Sequence, residues 1–135
     1  MKNLKSIIQE KLRLCKDTKV EKTYNYHPKT REELRKILEE RLEKDKNANL
    51  NDIDVSNITD MGTTNFIGLF EDLDPHNIDI SEWNVSKVTN MRGMFYSCTH
   101  FNSDLNNWNV SNVTNMVHMF NNSPLENNPP KWYKP

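Results

Sequence analysis

The sequence predicts an α/β fold: a short solenoid of about three strand–helix repeats, each of roughly 25 residues, with an N-terminal helical cap. A nine-residue phrase at 83–91 returns almost unchanged at 108–116, and each copy continues into Met-Phe, at 94–95 and 119–120. A degenerate copy begins at Ile53. A fixed period in this range is typical of stacked units that share one continuous core.

The N-terminal region, residues 1–48, is predicted to form the cap. Residues 4–15 have the apolar spacing of an amphipathic helix, and the alternation over 20–26 favours a short strand. Thr30 to Glu33 reads as a capping box that opens a charged helix over 30–45. Because the end of a solenoid needs covering, both helices are expected to pack there. Helix 4–15 could instead bind a partner or dimerise.

The repeats and a C-terminal cap occupy residues 49–135. Period-2 alternation predicts strands centred on 83–85 and 108–110, with Trp and Val inward and Asn outward. Helical spacing then predicts short helices running on from Val88 and Val113. The equivalent apolar positions are Leu50, Ile80 and Leu105; Ile53, Trp83 and Trp108; Val55, Val85 and Val110; Ile58, Val88 and Val113; Met61, Met91 and Met116. This pattern is close to the leucine-rich-repeat consensus.

The first and last units depart from the regular repeat. The first, from Ile53 to Trp83, is longer than the second, and its extra residues lie between Met61 and Phe70, which predicts a longer helix or loop. The last keeps Trp132 but follows two prolines, which predicts a terminal cap or an edge.

Charge is divided unevenly between the two halves of the chain. Residues 1–50 carry a net charge of +5 and residues 51–135 a net charge of −6, within a total of −1. Such asymmetry favours an oriented interaction with a partner. No apolar run is long enough for a membrane span, and no secretory signal is recognised at the start, so the expected compartment is the cytoplasm.

A catalytic or cofactor site is not expected from the sequence. The four histidines are scattered without metal-ligand spacing, and no nucleophile elbow or phosphate-binding loop is present. Cys15 and Cys98 are read as free thiols, and the repeat methionines as core residues. The carboxylates Asp52, Asp54, Asp72, Asp74 and Asp79 fit no EF-hand spacing, so a solvated acidic face is favoured over a calcium site.

The outward side chains of the predicted strands form the candidate binding face. Its residues are Asp52, Asp54, Glu82, Asn84, Lys87, Asn107, Asn109 and Asn112, with an acidic patch at Glu71, Asp72, Asp74 and Asp79. Acidic and amide groups favour a basic protein partner and disfavour direct contact with nucleic-acid phosphates. No membrane partner is predicted.

The phrase Trp-Asn-Val-Ser-x-Val-Thr-Asn-Met-x-x-Met-Phe, present twice, resembles the DUF285 family of BspA-type leucine-rich-repeat proteins. That resemblance implies a leucine-rich-repeat-like solenoid with binding roles, commonly on bacterial surfaces. The function expected here is a non-enzymatic protein-interaction module of a bacterial cytoplasm. Two alternatives stay open: a phage or mobile-element inhibitor that mimics nucleic acid at a bacterial defence nuclease, and a fragment of a surface adhesion protein.

Overall fold

The protein is described by a computed structural model over residues 22–64 and 66–135. Within these ranges the regular elements are helix α1, Arg31–Lys44, and a short 3₁₀ helix, Pro124–Glu126. Strand pairing is limited to isolated bridges, and no sheet forms among the described residues. The predicted α/β strand–helix solenoid is therefore wrong: residues 83–85 and 108–110 are not strands, and turns replace the helices expected after Val88 and Val113.

Tight turns replace the strands because Asn and Asp side chains compete for the backbone donors. Asn84 Oδ1 accepts from the amide of Ser86 at 3.1 Å and from its hydroxyl at 2.6 Å. The amide of Val88 donates to the carbonyl of Val85 at 3.0 Å. Because these local hydrogen bonds use the backbone N–H groups, few consecutive N–H groups remain to form a β-sheet hydrogen-bond ladder with the next repeat. The predicted alternation of burial nonetheless holds, since Trp83 and Val85 are buried and Asn84 is exposed.

The repeats stack in the register that the sequence predicts. Each Trp Nε1–H donates to a carbonyl one unit earlier: Trp83 to Leu50 at 2.9 Å, Trp108 to Ile80 at 2.9 Å, and Trp132 to Leu105 at 2.8 Å. The three indoles are stacked with centroids 6.3 Å apart at each step. The equivalence of Leu50, Ile80 and Leu105 is thereby confirmed.

A second aromatic column runs beside the indoles. Phe70 and Phe95 are stacked at 5.0 Å, and Phe95 and Phe120 at 5.8 Å. Backbone bonds join the same levels, such as the amide of Phe95 to the carbonyl of Met119 at 2.9 Å. The repeat methionines are buried among these rings, which confirms them as core residues: Met61, Met91, Met94, Met116 and Met119.

Helix α1 begins as the sequence predicts, with Thr30 as its N-cap. The hydroxyl of Thr30 accepts from the amide of Glu33 at 3.2 Å, whereas the carboxylate of Glu33 accepts from the amide of Lys29 rather than from that of Thr30. The apolar face of the helix, Leu34, Leu38 and Leu42, is fully buried. Over 22–26 the predicted strand is reduced to one bridge at Tyr26, and helix 4–15 lies outside the described residues.

Two arginines fix α1 to the long first repeat. Arg31 donates to the carbonyls of Gly62 at 2.5 Å and Ile67 at 2.8 Å. Arg35 Nη1 donates to three further carbonyls: Gly68, Leu69 and Glu71. The extra residues of this repeat therefore form a loop that is held by guanidinium groups.

The last unit ends in a half-buried Trp132, which is stacked on Trp108. The amide of Lys131 donates to Asn106 Oδ1 at 3.3 Å, so the segment after the two prolines follows the path of the preceding repeat. Among the described residues, no helix combines the length and the apolar character needed to cross a membrane.

Candidate functional site: an acidic depression beside a histidine cluster

Two equivalent stretches of consecutive repeats, residues 74–82 and 99–107, lie side by side; we call them the return segments. The hydroxyl of Ser103 donates to the carbonyl of Ile78, which joins the two. On the other side, the amide of Asp79 donates to the carbonyl of Ala48 at 3.1 Å. The first return segment is therefore held on both sides, and the two segments present their polar side chains together.

The return segments enclose an open depression of about 470 Å³ that contains two carboxylates. We call it the acidic depression. Asp79 and Asp104 contribute the charge. The other lining residues are three asparagines, two serines and two isoleucines: Asn77, Asn102, Asn107, Ser81, Ser103, Ile78 and Ile80. Among the described residues, none of those that line the depression is a lysine or an arginine. The depression thus combines negative charge with many hydrogen-bond acceptors.

Both carboxylates are held by the turn that follows them. Asp79 Oδ1 accepts from the amide and the hydroxyl of Ser81 at 3.1 and 2.7 Å, and Asp104 Oδ1 accepts from the amide of Asn106 at 2.9 Å. The hydrogen bond from the Ser81 hydroxyl is the largest influence that lowers the pKa of Asp79. Asp79 and Asp104 remain exposed, so each presents an oriented carboxyl group to solvent.

A second concave surface lies elsewhere on the stack, at the long first-repeat loop. This groove, of about 420 Å³, is lined by Thr63, Phe66, Glu71, Arg92, Gly93, Tyr96 and His118. Phe66 is 95% exposed and Tyr96 is 40% exposed. Phe66 also has φ 67°, a left-handed conformation that is unusual for a bulky residue. The groove mixes acidic, basic and aromatic side chains, so it favours no single class of ligand.

A histidine cluster occupies the start of the return segments. Asp74 Oδ2 lies 3.2 Å from His76 Nε2, and Asp74 Oδ1 lies 2.8 Å from His100 Nδ1. The hydrogen bond from His100 is the largest cause of a lowered pKa at Asp74. The expectation of scattered histidines is wrong for this pair, because stacking brings together two side chains that belong to different repeats.

The family of the chain is decided by a match that covers most of its length. The model of a family described as Mycoplasma protein of unknown function, DUF285, matches residues 15–133. The chain belongs to the DUF285 family. No curated protein and no solved structure matches it. The suspected DUF285 membership is confirmed, while the relation to BspA-type leucine-rich repeats stays a prediction.

In this DUF285 chain, the first two residues of the predicted face are engaged within the molecule. Asp52 accepts from Arg41 Nη1 at 2.9 and 3.0 Å and from Asn25 at 3.0 Å. Burial raises the pKa of Asp52, but these hydrogen bonds outweigh it and hold the pKa below its usual range. The hydrogen bond from the Ser56 hydroxyl likewise lowers the pKa of Asp54. Both carboxylates therefore help to hold the first repeat together.

The other face residues are dispersed along the DUF285 repeats. Asn84 and Asn109 cap turns, and Asn112 Nδ2 donates to the carbonyl of Ser86 at 2.6 Å. Glu82 is exposed and pairs with Lys22 at 3.5 Å. Lys87 is also exposed. Of the eight predicted residues, Asn107 alone lines the acidic depression.

The predicted acidic patch divides among three places. Glu71 accepts from the amide of Gly68 at 2.8 Å and lines the groove, while Asp74 belongs to the histidine cluster. Asp79 lines the acidic depression. Asp72 belongs to none of the three places and is exposed on the turn between Glu71 and Asp74.

The carboxylate of Asp104 is the main functional candidate that sequence reasoning missed. Its signal was present in the register, because Asp104 precedes Leu105 as Asp79 precedes Ile80. If the alignment of the repeats is extended from the apolar positions to the polar ones, Asp79 and Asp104 become equivalent and are predicted to lie on one surface.

Proposed function

We propose that this DUF285 chain is a non-enzymatic protein-binding module that takes an arginine or lysine side chain of a basic partner into the acidic depression. The observation that carries the proposal is that Asp79 and Asp104, one repeat apart, line the same concavity, where the part of the chain that the structure describes contributes no basic residue. Carboxylates held in fixed turns require little reordering when a cation arrives.

Arginine is the side chain that fits this lining best. Its planar guanidinium presents several donors at once, and the depression offers carboxylate and amide oxygens from both return segments. The net charge of −6 over residues 51–135 adds a long-range attraction for a basic surface and opposes nucleic-acid phosphates. Nucleic-acid mimicry at a basic site of a partner would use the same carboxylates.

The test uses a defined probe, a fluorescein-labelled arginine-rich peptide, with a peptide of the same length in which glutamine replaces arginine. Fluorescence anisotropy should show binding of the arginine peptide alone, with an affinity that falls as salt rises. Asp79→Asn and Asp104→Asn should each weaken binding by up to about fivefold, the effect of losing one exposed ion pair of up to about 1 kcal/mol.

These substitutions preserve the turns while removing the charge. Asparagine already makes the same bond at Asn84 and Asn109, so Asn at positions 79 and 104 should still accept from residue i+2. The matched control is Asp60→Asn, because Asp60 accepts from the amide of Gly62 at 2.8 Å in an equivalent turn outside the depression.

Three results would contradict the proposal. Binding of the arginine peptide could be unchanged by both substitutions in the depression. It could fall equally with Asp60→Asn, which would indicate net charge without a site. It could also be abolished by Tyr96→Ala while Asp79→Asn has no effect, which would place binding in the groove.

A further inference from the structure

We infer that Asp74, His76 and His100 form a divalent-metal site, suited to Zn²⁺, that joins two consecutive repeats. Each residue offers one ligand atom, and the three atoms lie within 4.8 Å of one another. Two ligands come from one return segment and the third comes from the next. The inference is independent of the proposed protein partner.

The distances are close to those that a tetrahedral ion requires. With Zn–N and Zn–O bonds of about 2.0–2.2 Å, two ligand atoms on one ion are separated by about 3.3 Å. The carboxylate of Asp74 lies 3.2 Å from His76 Nε2 and 2.8 Å from His100 Nδ1. These two distances involve different oxygens of Asp74, and with one ligand atom from each residue all separations are within 4.8 Å, so the remaining ones have to shorten. The two imidazole rings already lie with centroids 4.6 Å apart.

The donor set favours zinc over calcium or magnesium. Zn²⁺ binds imidazole nitrogens and carboxylate oxygens together in four-coordinate sites, whereas calcium takes six to eight oxygens and magnesium also prefers oxygen ligands. The side chains are 49%, 37% and 60% exposed for Asp74, His76 and His100, so an ion can enter and a water can complete four-coordination. Neighbouring Asp72 is exposed and adds negative charge.

The backbone around the cluster is fixed by contacts outside it. Pro75 is buried between Asp74 and His76, and the amide of His76 donates to the carbonyl of Lys46 at 2.9 Å. His100 precedes Phe101, which is fully buried. Small rotations of exposed side chains are therefore enough to close the site.

The competing explanation is a purely hydrogen-bonded group in which both imidazoles donate to Asp74. A metal site and a hydrogen-bonded cluster differ in their response to metal. The tag-free full chain is therefore titrated with Zn²⁺ alone by isothermal titration calorimetry. One equivalent should bind. His76→Gln and His100→Gln should each reduce affinity by at least about 100-fold, since loss of a residue behind a metal ligand already costs 10–100-fold.

The matched control is His27→Gln, because His27 is another exposed histidine beside a single carboxylate, Asp54, at 3.7 Å. It should bind Zn²⁺ as the unaltered chain does. A second readout is thermal: Zn²⁺ should raise the midpoint of unfolding of the unaltered chain and of His27→Gln, but not that of His100→Gln. Co²⁺ should give the strong visible absorption of four-coordinate sites in the same two proteins.

Circular dichroism of the metal-free variants establishes that each is folded before titration. The inference is overturned if no equivalent of Zn²⁺ binds, if both cluster variants bind as tightly as the unaltered chain, or if His27→Gln loses binding to the same extent.

Discussion

Replacing Trp108 by Phe tests whether the stacked indoles hold the repeats together. Trp108 is buried between two neighbouring indoles, and its Nε1–H donates to the carbonyl of Ile80 at 2.9 Å. The substitution removes that donor and leaves a ring that is smaller than the space. That carbonyl still accepts from the amide of Trp83 at 3.1 Å, so the lost bond costs about 1 kcal/mol. The unfilled volume adds about 1 kcal/mol, for a total of about 2 kcal/mol.

The matched variant is Trp132→Phe, which removes the same type of bond, to the carbonyl of Leu105 at 2.8 Å, from a half-buried ring. Water can replace part of that contact, so the expected cost is about 1 kcal/mol or less. Urea unfolding followed by far-ultraviolet circular dichroism gives the free energy of unfolding of both variants. The m-value, the dependence of that free energy on urea concentration, should stay unchanged. The reasoning is refuted if Trp132→Phe destabilises the chain as much as Trp108→Phe, or if Trp108→Phe costs nothing measurable.

Three further predictions concern single positions. Gly68→Ala should prevent correct folding or lower the thermal midpoint sharply, because an added Cβ would lie 2.2 Å from the carbonyl oxygen of Gly93; an unchanged midpoint would contradict the close approach. Arg31→Lys should cost about 1–3 kcal/mol in urea unfolding, since one ammonium cannot reproduce the fork that spans the carbonyls of Gly62 and Ile67, and an equal stability would show that the fork is dispensable. Burial raises the pKa of Cys98 to about 12 from 9.0. The thiolate forms at lower pH in the unfolded chain than in the folded one, so deprotonation favours unfolding. The contribution of Cys98 to the free energy of unfolding is therefore fully present below pH 9 and is lost as pH rises towards 12. Between pH 7 and pH 10 the free energy of unfolding of the unaltered chain should therefore fall by about 1.4 kcal/mol more than that of Cys98→Ala. Urea unfolding at both pH values measures this difference, and an equal fall in the two proteins would contradict the prediction.

Much of the core could be predicted from the sequence, whereas the secondary structure of the repeats could not. Buried apolar residues recur with the period of the repeat, so the alignment of the copies places Trp83 and Trp108 in one column. The same alternation is compatible with a strand or with a chain of turns. The decisive groups are the polar ones, because Asn84 and Asn109 bond the backbone two residues on and remove the donors that a ladder needs.

The candidate sites divide in the same way. Asp79 was recognised because it is one acid among several in a run, while Asp104 stands alone in its stretch of sequence. Asp52 looked equally available, yet its role depends on Arg41, 11 residues away, which occupies its carboxylate. A pattern along the chain reports which side chains point outward, but it does not report which of them are already paired.

By itself the sequence determined the repeat, its register, the burial of Trp83 and Trp108, and Thr30 as the N-cap of helix α1. These follow from local spacing and capping, which act over a few residues or one period. Tertiary structure alone decided that turns replace strands, that Asp79 and Asp104 share one depression, and that His100 meets Asp74 and His76. These depend on which levels of the stack come into contact, and that is set by packing between repeats rather than by any single repeat.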